Sequence, residues 1–213
     1  MFGMYVTDKQ ALSAPADRLA GAHSTAKVDS LVRADGVAGV VGLVGADGVA
    51  RVDSLVGADG VAAVDELRDR VEIVDALYRF GLGQDLRDRE LLASAFAETA
   101  ELDFGPAAAR WGGEAPLMTG RDLIADTITG LFAGRVDTTH VVTNPRIHID
   151  GDSARLTALV EAQHLLTGDH GTHALLKNVY DVVLIRDGTR WVVRRMRIEN
   201  IWYTGDPTAI FGP

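Results

Sequence analysis

The chain has 213 residues, 47% of them hydrophobic and 24% charged, with a formal net charge of −9 and no cysteine. That length suffices for one well-buried core, and the missing thiols exclude disulfides, thiolate nucleophiles and cysteine-bound metal. The acidic balance argues against nucleic acid, whose phosphates call for a basic surface; the one dense basic cluster, Arg194, Arg195 and Arg197, falls in a predicted strand.

No apolar run approaches the ~18 residues of a membrane span. The opening stretch MFGMYVTDKQALSAPADRL lacks a basic region followed by an apolar one, so no secretory leader is expected and the reading places the protein in the cytoplasm. Three segments then repeat without gaps at a period of 12: VDSLVRADGVAG (28–39), VVGLVGADGVAR (40–51) and VDSLVGADGVAA (52–63). In one continuous helix each repeat would rotate the apolar stripe by about 120°, and each Asp-Gly glycine would cost about 1 kcal/mol. Residues 1–63 are therefore expected to be a weakly structured extension, broken at each Asp-Gly, or an arm that packs on a partner subunit. Nothing in it carries catalytic chemistry.

At Val64 the pattern changes. Val64, Leu67, Val71, Val74 and Leu77 or Tyr78 recur at helical spacing, which predicts a helix over 64–81 with these residues buried. A turn and a second short helix follow in 84–96, with Asp88 as its N-cap, so that Asp85 is free to point inward. AELDF (100–104) reads as a short strand and 105–118 as a loop. Thr119 is positioned to cap a third helix over 120–133, with Leu123, Ile124, Ile128, Leu131 and Phe132 as its buried stripe. Four long strands complete the chain, 138–149, 154–167, 173–186 and 189–203, separated by hairpin-type turns containing DGD, TGDHG and RDGT.

Helices followed by an antiparallel meander define an α+β fold. Strands this long suit a strongly bent sheet that closes into a cone with a pocket inside. Alternation along each strand sorts the faces. His164 shares a face with Leu156, Ala158, Val160 and Ala162; Asn178 and Tyr180 share one with Leu176, Val182 and Leu184; His140 shares one with Val142 and Asn144, with Pro145 set to introduce a bulge. His148, beyond it, is expected at the surface. Polar groups among apolar neighbours need partners, since an unpaired one costs roughly 1–3 kcal/mol. A carboxylate from Asp85 beside an imidazole would fix its tautomer and raise its basicity, which suits a general base near neutral pH. Two histidines and an aspartate can also hold zinc, and His170 and His173 form another pair in a turn.

From about Val64 to Ile210 the chain resembles the SnoaL-like polyketide cyclases of the nuclear-transport-factor-2-like superfamily, and its site resembles the scytalone dehydratase-like family. The pieces that carry the likeness are QDLRDREL, TTHVVTNPRI with His140, EAQHLL with His164, LKNVYDVVLIRDGTRWVV with Asn178, and RIENIWYTGD. The resemblance implies a cone-shaped α+β barrel in which three helices pack on a curved, mostly antiparallel sheet. It implies no metal or organic cofactor, catalytic Asp85, His140 and His164, and Asn178 as an amide that orients the substrate. Gln84 and Phe104 stand where the dehydratases have the tyrosines that hold a carbonyl-polarising water, which points away from the same substrate. Tyr78 or Tyr180 would take over that role, and Trp111 would line the pocket mouth. The expected activity is removal of a proton next to a carbonyl, followed by dehydration, isomerisation or ring closure, on a small ring-sized substrate. A ligand-binding scaffold of the same fold, or the small subunit of a ring-hydroxylating dioxygenase, are the alternatives, and a homodimer or higher oligomer is expected.

Overall fold

The computed structural model describes residues 58–212. The first two 12-residue repeats, the third up to residue 57, and the extension before them lie outside the described residues. The final six residues of the third repeat, 58–63, belong to the first helix, α1 (Ala58–Asp85), which therefore starts before the predicted boundary at 64. The Asp-Gly at 59–60 sits in its opening turn instead of breaking it.

The elements that follow are α2 (Arg89–Ala93), β1 (Phe96–Asp103), α3 (Gly105–Ala108), a 3-10 turn (Ala109–Trp111), β2 (Met118–Thr119), α4 (Arg121–Phe132), β3 (Val136–Asp150), β4 (Ser153–Leu166), β5 (Asp169–Asp187), β6 (Arg190–Gly205) and α5 (Pro207–Phe211). The strands form one sheet in the order β2-β1-β6-β5-β4-β3. Every pairing is antiparallel except β1 with β6, which is parallel. The fold is thus the α+β curved sheet that the sequence predicts. Hairpin glycines Gly151 and Gly188, with φ of 57° and 60°, close the β3–β4 and β5–β6 turns in the left-handed region.

Bulges bend the strands. The β3–β4 register shifts between Thr143 and Arg146, where Asn144 has φ of 54° ahead of Pro145. The β5–β6 register shifts at Lys177/Asn178 and at Val183/Leu184. An extra residue in one strand of a pair increases the local bend and twist, and the sheet wraps around its inner face. That face carries the predicted set: Leu156, Ala158, Val160, Ala162 and His164 from β4, and Leu176, Asn178, Tyr180, Val182 and Leu184 from β5 are all buried.

The helical layer departs from the sequence reading in α1. Ile73, Ala76, Leu77 and Phe80 face the sheet, whereas Val64, Leu67, Val71 and Tyr78 are exposed and Val74 is half-buried. The two stripes lie on different sides of one helix: at 100° per residue, Tyr78 falls about 100° beyond Leu77. Tyr78 is 47% exposed, so it is not a pocket residue. Two further corrections concern the loop and α4. Loop 105–118 contains α3 and the 3-10 turn, and Gly120, not Thr119, is the N-cap of α4, with no side-chain cap bond. Leu123 and Leu131 are exposed, and Ala125 takes a place in the buried stripe.

Two local devices hold the helices where the site needs them. A Cβ on Gly83 would come within 2.6 Å of the Leu92 backbone, so only glycine lets α2 approach α1 two residues before Asp85. Lower down, Arg186 makes a two-pronged contact with Asp69, at 2.8 and 2.7 Å, and stacks on Trp191, whose Nε1 donates to the same carboxylate at 3.1 Å. The hydrogen bonds from Arg186 are the main reason the Asp69 carboxyl is drawn down to about 2, against the opposing effect of burial.

Gly83→Ala is expected to destabilise the protein by about 1–3 kcal/mol, the usual cost of overpacking against backbone, measurable as a lower midpoint in urea unfolding. Asp69 has a folded-state pKa below its unfolded one. Its contribution is complete above about pH 4 and is lost as pH falls toward about 2. Asp69→Asn should flatten the acid limb of the stability profile in that interval; an unchanged limb would exclude the Arg186–Asp69 pair as a source of it.

Candidate active site

The interior of the cone is a cavity of about 510 Å³, within the range of small-molecule sites. Its walls are mostly apolar. Aromatic rings crowd part of its wall: Trp111 stacks on Phe211 at 5.6 Å between centroids, and Phe104 lies 5.9 Å from each of them. Phe211 reaches the site because α5 turns back over the sheet. Asp206 caps that short helix by accepting from the Ala209 N–H at 3.0 Å, and Pro207 occupies its first turn.

Asp85 is the last residue of α1, freed for this position because Asp88 caps α2 through the Leu91 N–H at 2.9 Å. Its carboxylate accepts three hydrogen bonds from β3: from the Thr138 hydroxyl at 2.8 Å, from the His140 backbone N–H at 2.8 Å, and from His140 Nδ1 at 2.7 Å. The close fit of helix and strand needs Gly81, where a Cβ would lie 3.1 Å from His140 Cβ. Burial works to raise the Asp85 carboxyl, but the hydrogen bonds and charge of His140, helped by Thr138, outweigh it and hold the group below its ordinary value.

With the carboxylate on Nδ1, the neutral imidazole of His140 carries its proton there. Its Nε2 then keeps a free lone pair, and the ring lines the cavity.

His164 stands beside it. The β3–β4 register pairs Thr138 with His164 and His140 with Ala162, and the two imidazoles meet edge to face at 5.5 Å and 88°. His164 is 3% exposed and packs against Phe132 and Phe211. Burial, and after it the charge of His140, depresses its pKa to about 3, so it is neutral throughout the physiological range. Its Nδ1 is buried without a hydrogen-bond partner. Natural interiors seldom tolerate such an atom unless a ligand or water completes it.

Next to β4 in the sheet come β5 and then β6. Asn178 and Tyr180 are buried there and line the cavity. Burial raises the Tyr180 phenol above its ordinary value, the Asp85 charge adds to this, and a hydrogen bond from Asn178 opposes it. The structure therefore assembles Asp85, His140, His164, Asn178, Tyr180, Phe104 and Trp111 at or directly behind one cavity, and it removes Tyr78. Sequence reasoning missed Thr138, Phe211 and Asn200. DPT after the final strand carries a helix-start signal that could have found α5. Thr138 shares a strand face with His140 by parity alone.

Gln84, where the resembled dehydratases have tyrosine, turns its amide back to donate to the Phe80 carbonyl at 3.2 Å. His170 pairs with Asp137 at 3.0 Å, and His173 Nδ1 meets the Gly171 carbonyl at 3.0 Å, so these two histidines engage different partners. Among the described residues no group of three or more His, Asp and Glu side chains is arranged to hold a metal ion. No helix among them is long and apolar enough to cross a membrane.

Comparison with known proteins gives a consistent picture. Residues 65–197 match the SnoaL-like domain family. The terrestric acid biosynthesis cluster protein E of Penicillium crustosum is 31% identical over 155 residues, which cover 68% of this chain and 91% of that protein. Two solved structures share the fold. One, from Novosphingobium aromaticivorans and described as a candidate scytalone dehydratase, has a TM-score of 0.59 at 20% identity, covering 71% of this chain and 96% of its own. The other, a hexachlorocyclohexane dehydrochlorinase from Novosphingobium barchaimii, has a TM-score of 0.56 at 22% identity, covering 71% and 99%.

A histidine whose folded-state pKa is about 3 takes up no proton over most of the acid range, while the unfolded chain does so near pH 6.5. Stability should therefore rise with pH between about 3 and 6.5 at this site. Imidazole NMR should show His164 uncharged at pH 5; a titration midpoint above 6 would contradict the burial and packing described.

Proposed function

The chain belongs to the SnoaL-like domain family, and on that premise we propose that it is a cofactor-independent acid–base enzyme that removes a proton next to a carbonyl group in a small ring compound. The observation that carries this reading is the Asp85–His140 pair at the wall of an apolar cavity. Similarity to a protein of a terrestric acid biosynthesis cluster supports a place in secondary metabolism.

His140 is the base and His164 is not. Asp85 stabilises the cation that His140 becomes, whereas His164 has no carboxylate partner and its burial opposes any charge. Nε2 of His140 takes the proton from the carbon, and the C–H electron pair moves into the enolate. Neutral donors, His164 or Tyr180, hydrogen-bond the developing enolate oxygen without surrendering their protons. If a hydroxyl occupies the next carbon, collapse of the enolate expels it, and His140 hands the same proton to the departing oxygen to form water. In a β,γ-unsaturated ketone with no leaving group, the proton returns to the γ carbon of the dienolate and the double bond moves into conjugation. A positioned acid–base group of this kind contributes about 10²–10⁴-fold in rate. Asp85 adds by fixing the tautomer and stabilising the imidazolium.

Incubation in D2O with a panel of one- and two-ring β-hydroxyketones, followed by mass spectrometry, tests the reading. Deuterium uptake beside the carbonyl, or loss of water, is expected from the wild type. His140→Ala should lower the rate about 10²–10⁴-fold, and Asp85→Asn should be impaired through the wrong tautomer. Folded His140→Ala protein that matches the wild type, or a wild type inert toward the whole panel, would count against the assignment and favour a binding protein.

A further inference from the structure

The β5–β6 wall contains a buried pair of amides. The register shift at Lys177/Asn178 pairs Lys177 with Trp202 and Asn178 with Asn200, leaving Ile201 as the extra residue of the bulge. On the other side of the shift the ladder is regular: Tyr180 pairs with Ile198 and Val179 with Glu199, so Asn200 falls opposite Asn178 on the buried face of Met196 and Ile198. Asn178 and Asn200 are therefore neighbours, 1% and 7% exposed.

Their orientation is over-determined. Asn200 Nδ2 donates to the Trp202 carbonyl at 3.0 Å, to the Lys177 carbonyl at 3.4 Å and to Asn178 Oδ1 at 2.9 Å. Two of these acceptors are backbone oxygens, which cannot donate. A flipped Asn200 would press its own oxygen against them, so its NH2 group is fixed in place. Asn178 must answer with its oxygen, and its NH2 is left for the opposite side, where the cavity and Tyr180 lie. Asn200 Oδ1 has no partner although it is buried, a cost that the chain tolerates in keeping this arrangement.

The charge of the walls narrows what the donor faces. Of the residues lining the cavity, Glu114 alone carries a formal charge, and no Lys or Arg is among them. A carboxylate or phosphate would enter without a counter-charge and with Asp85 just behind His140, at a heavy desolvation cost.

We propose that Asn200 is a positioning residue that locks the Asn178 amide as a hydrogen-bond donor, so that the cavity selects uncharged ring compounds whose carbonyl oxygen points at the β5–β6 wall. This rests on the reading of the cavity as the substrate site, but on binding only and not on turnover. Asn200→Asp keeps the shape of the side chain and removes its donors. A carboxylate there repels Asn178 Oδ1 and attracts its NH2, which turns the Asn178 oxygen toward the cavity.

The probes are α-tetralone, whose carbonyl only accepts, and tetralin, which neither donates nor accepts. Calorimetry should show the wild type preferring α-tetralone by about tenfold, the worth of one buried hydrogen bond. Asn200→Asp should remove most of that preference, by weakening α-tetralone binding far more than tetralin binding. In wild-type NMR spectra, the side-chain NH2 signals of Asn178 should move on addition of α-tetralone and stay in place with tetralin, a test independent of whether the variant folds. Failure of both probes to bind overturns the cavity reading and this inference together. Binding of both without preference in the wild type, or a preference retained in Asn200→Asp, overturns the donor lock alone.

Discussion

One carboxylate joins the two halves of this fold. Asp85 ends the long helix and accepts a hydroxyl, a backbone N–H and an imidazole Nδ1 from the same stretch of β3. Three donors on one partly buried carboxylate keep it ionised despite desolvation. The same bonds clamp the helix end to the strand and determine which nitrogen of His140 bears the proton. Structure and chemistry therefore share a single contact: moving the helix by even an ångström would break the bond that sets the tautomer. Gly81 and Gly83 are the steric conditions for that contact, one admitting β3 and the other α2.

The second constraint is the apolar lining. An apolar, aromatic-walled hollow makes every polar group in it expensive unless it is partnered. Within a few ångströms the same environment separates two imidazoles into different roles. His140, with a carboxylate behind it, is equipped to carry positive charge. His164, wedged between Phe132 and Phe211, is confined to its neutral form. Asn178 and Tyr180 complete the polar set from the neighbouring strand, β5. Environment, more than residue type, divides the labour here.

Much of this was legible in the sequence where the periodicity was strict. Alternation in β4 and β5 named their buried residues one by one, because a half-buried strand has only two sides. The choice between Asp85 and Asp88 was legible too, since a helix start needs a cap and only Asp88 precedes RELLA. The helices were harder. In α1 two apolar stripes lie on opposite sides, Val64–Leu67–Val71–Tyr78 and Ile73–Ala76–Leu77–Phe80, and a hydrophobic pattern does not say which one meets the sheet. Tyr78 was misplaced for that reason. Asn200 lies on the face of the buried Met196 and Ile198 by simple alternation, a signal as plain as those in β4 and β5. Phe211 lay beyond the last predicted element.

The most direct test of the central claim is the tautomer of His140, read by two-dimensional 15N–1H imidazole NMR on the uncharged form of the ring. The account predicts that this form carries its proton on Nδ1, where it exchanges slowly with water and is sensitive to Asp85→Asn. A ring protonated on Nε2, or one that ignores the loss of the Asp85 carboxylate, would contradict it.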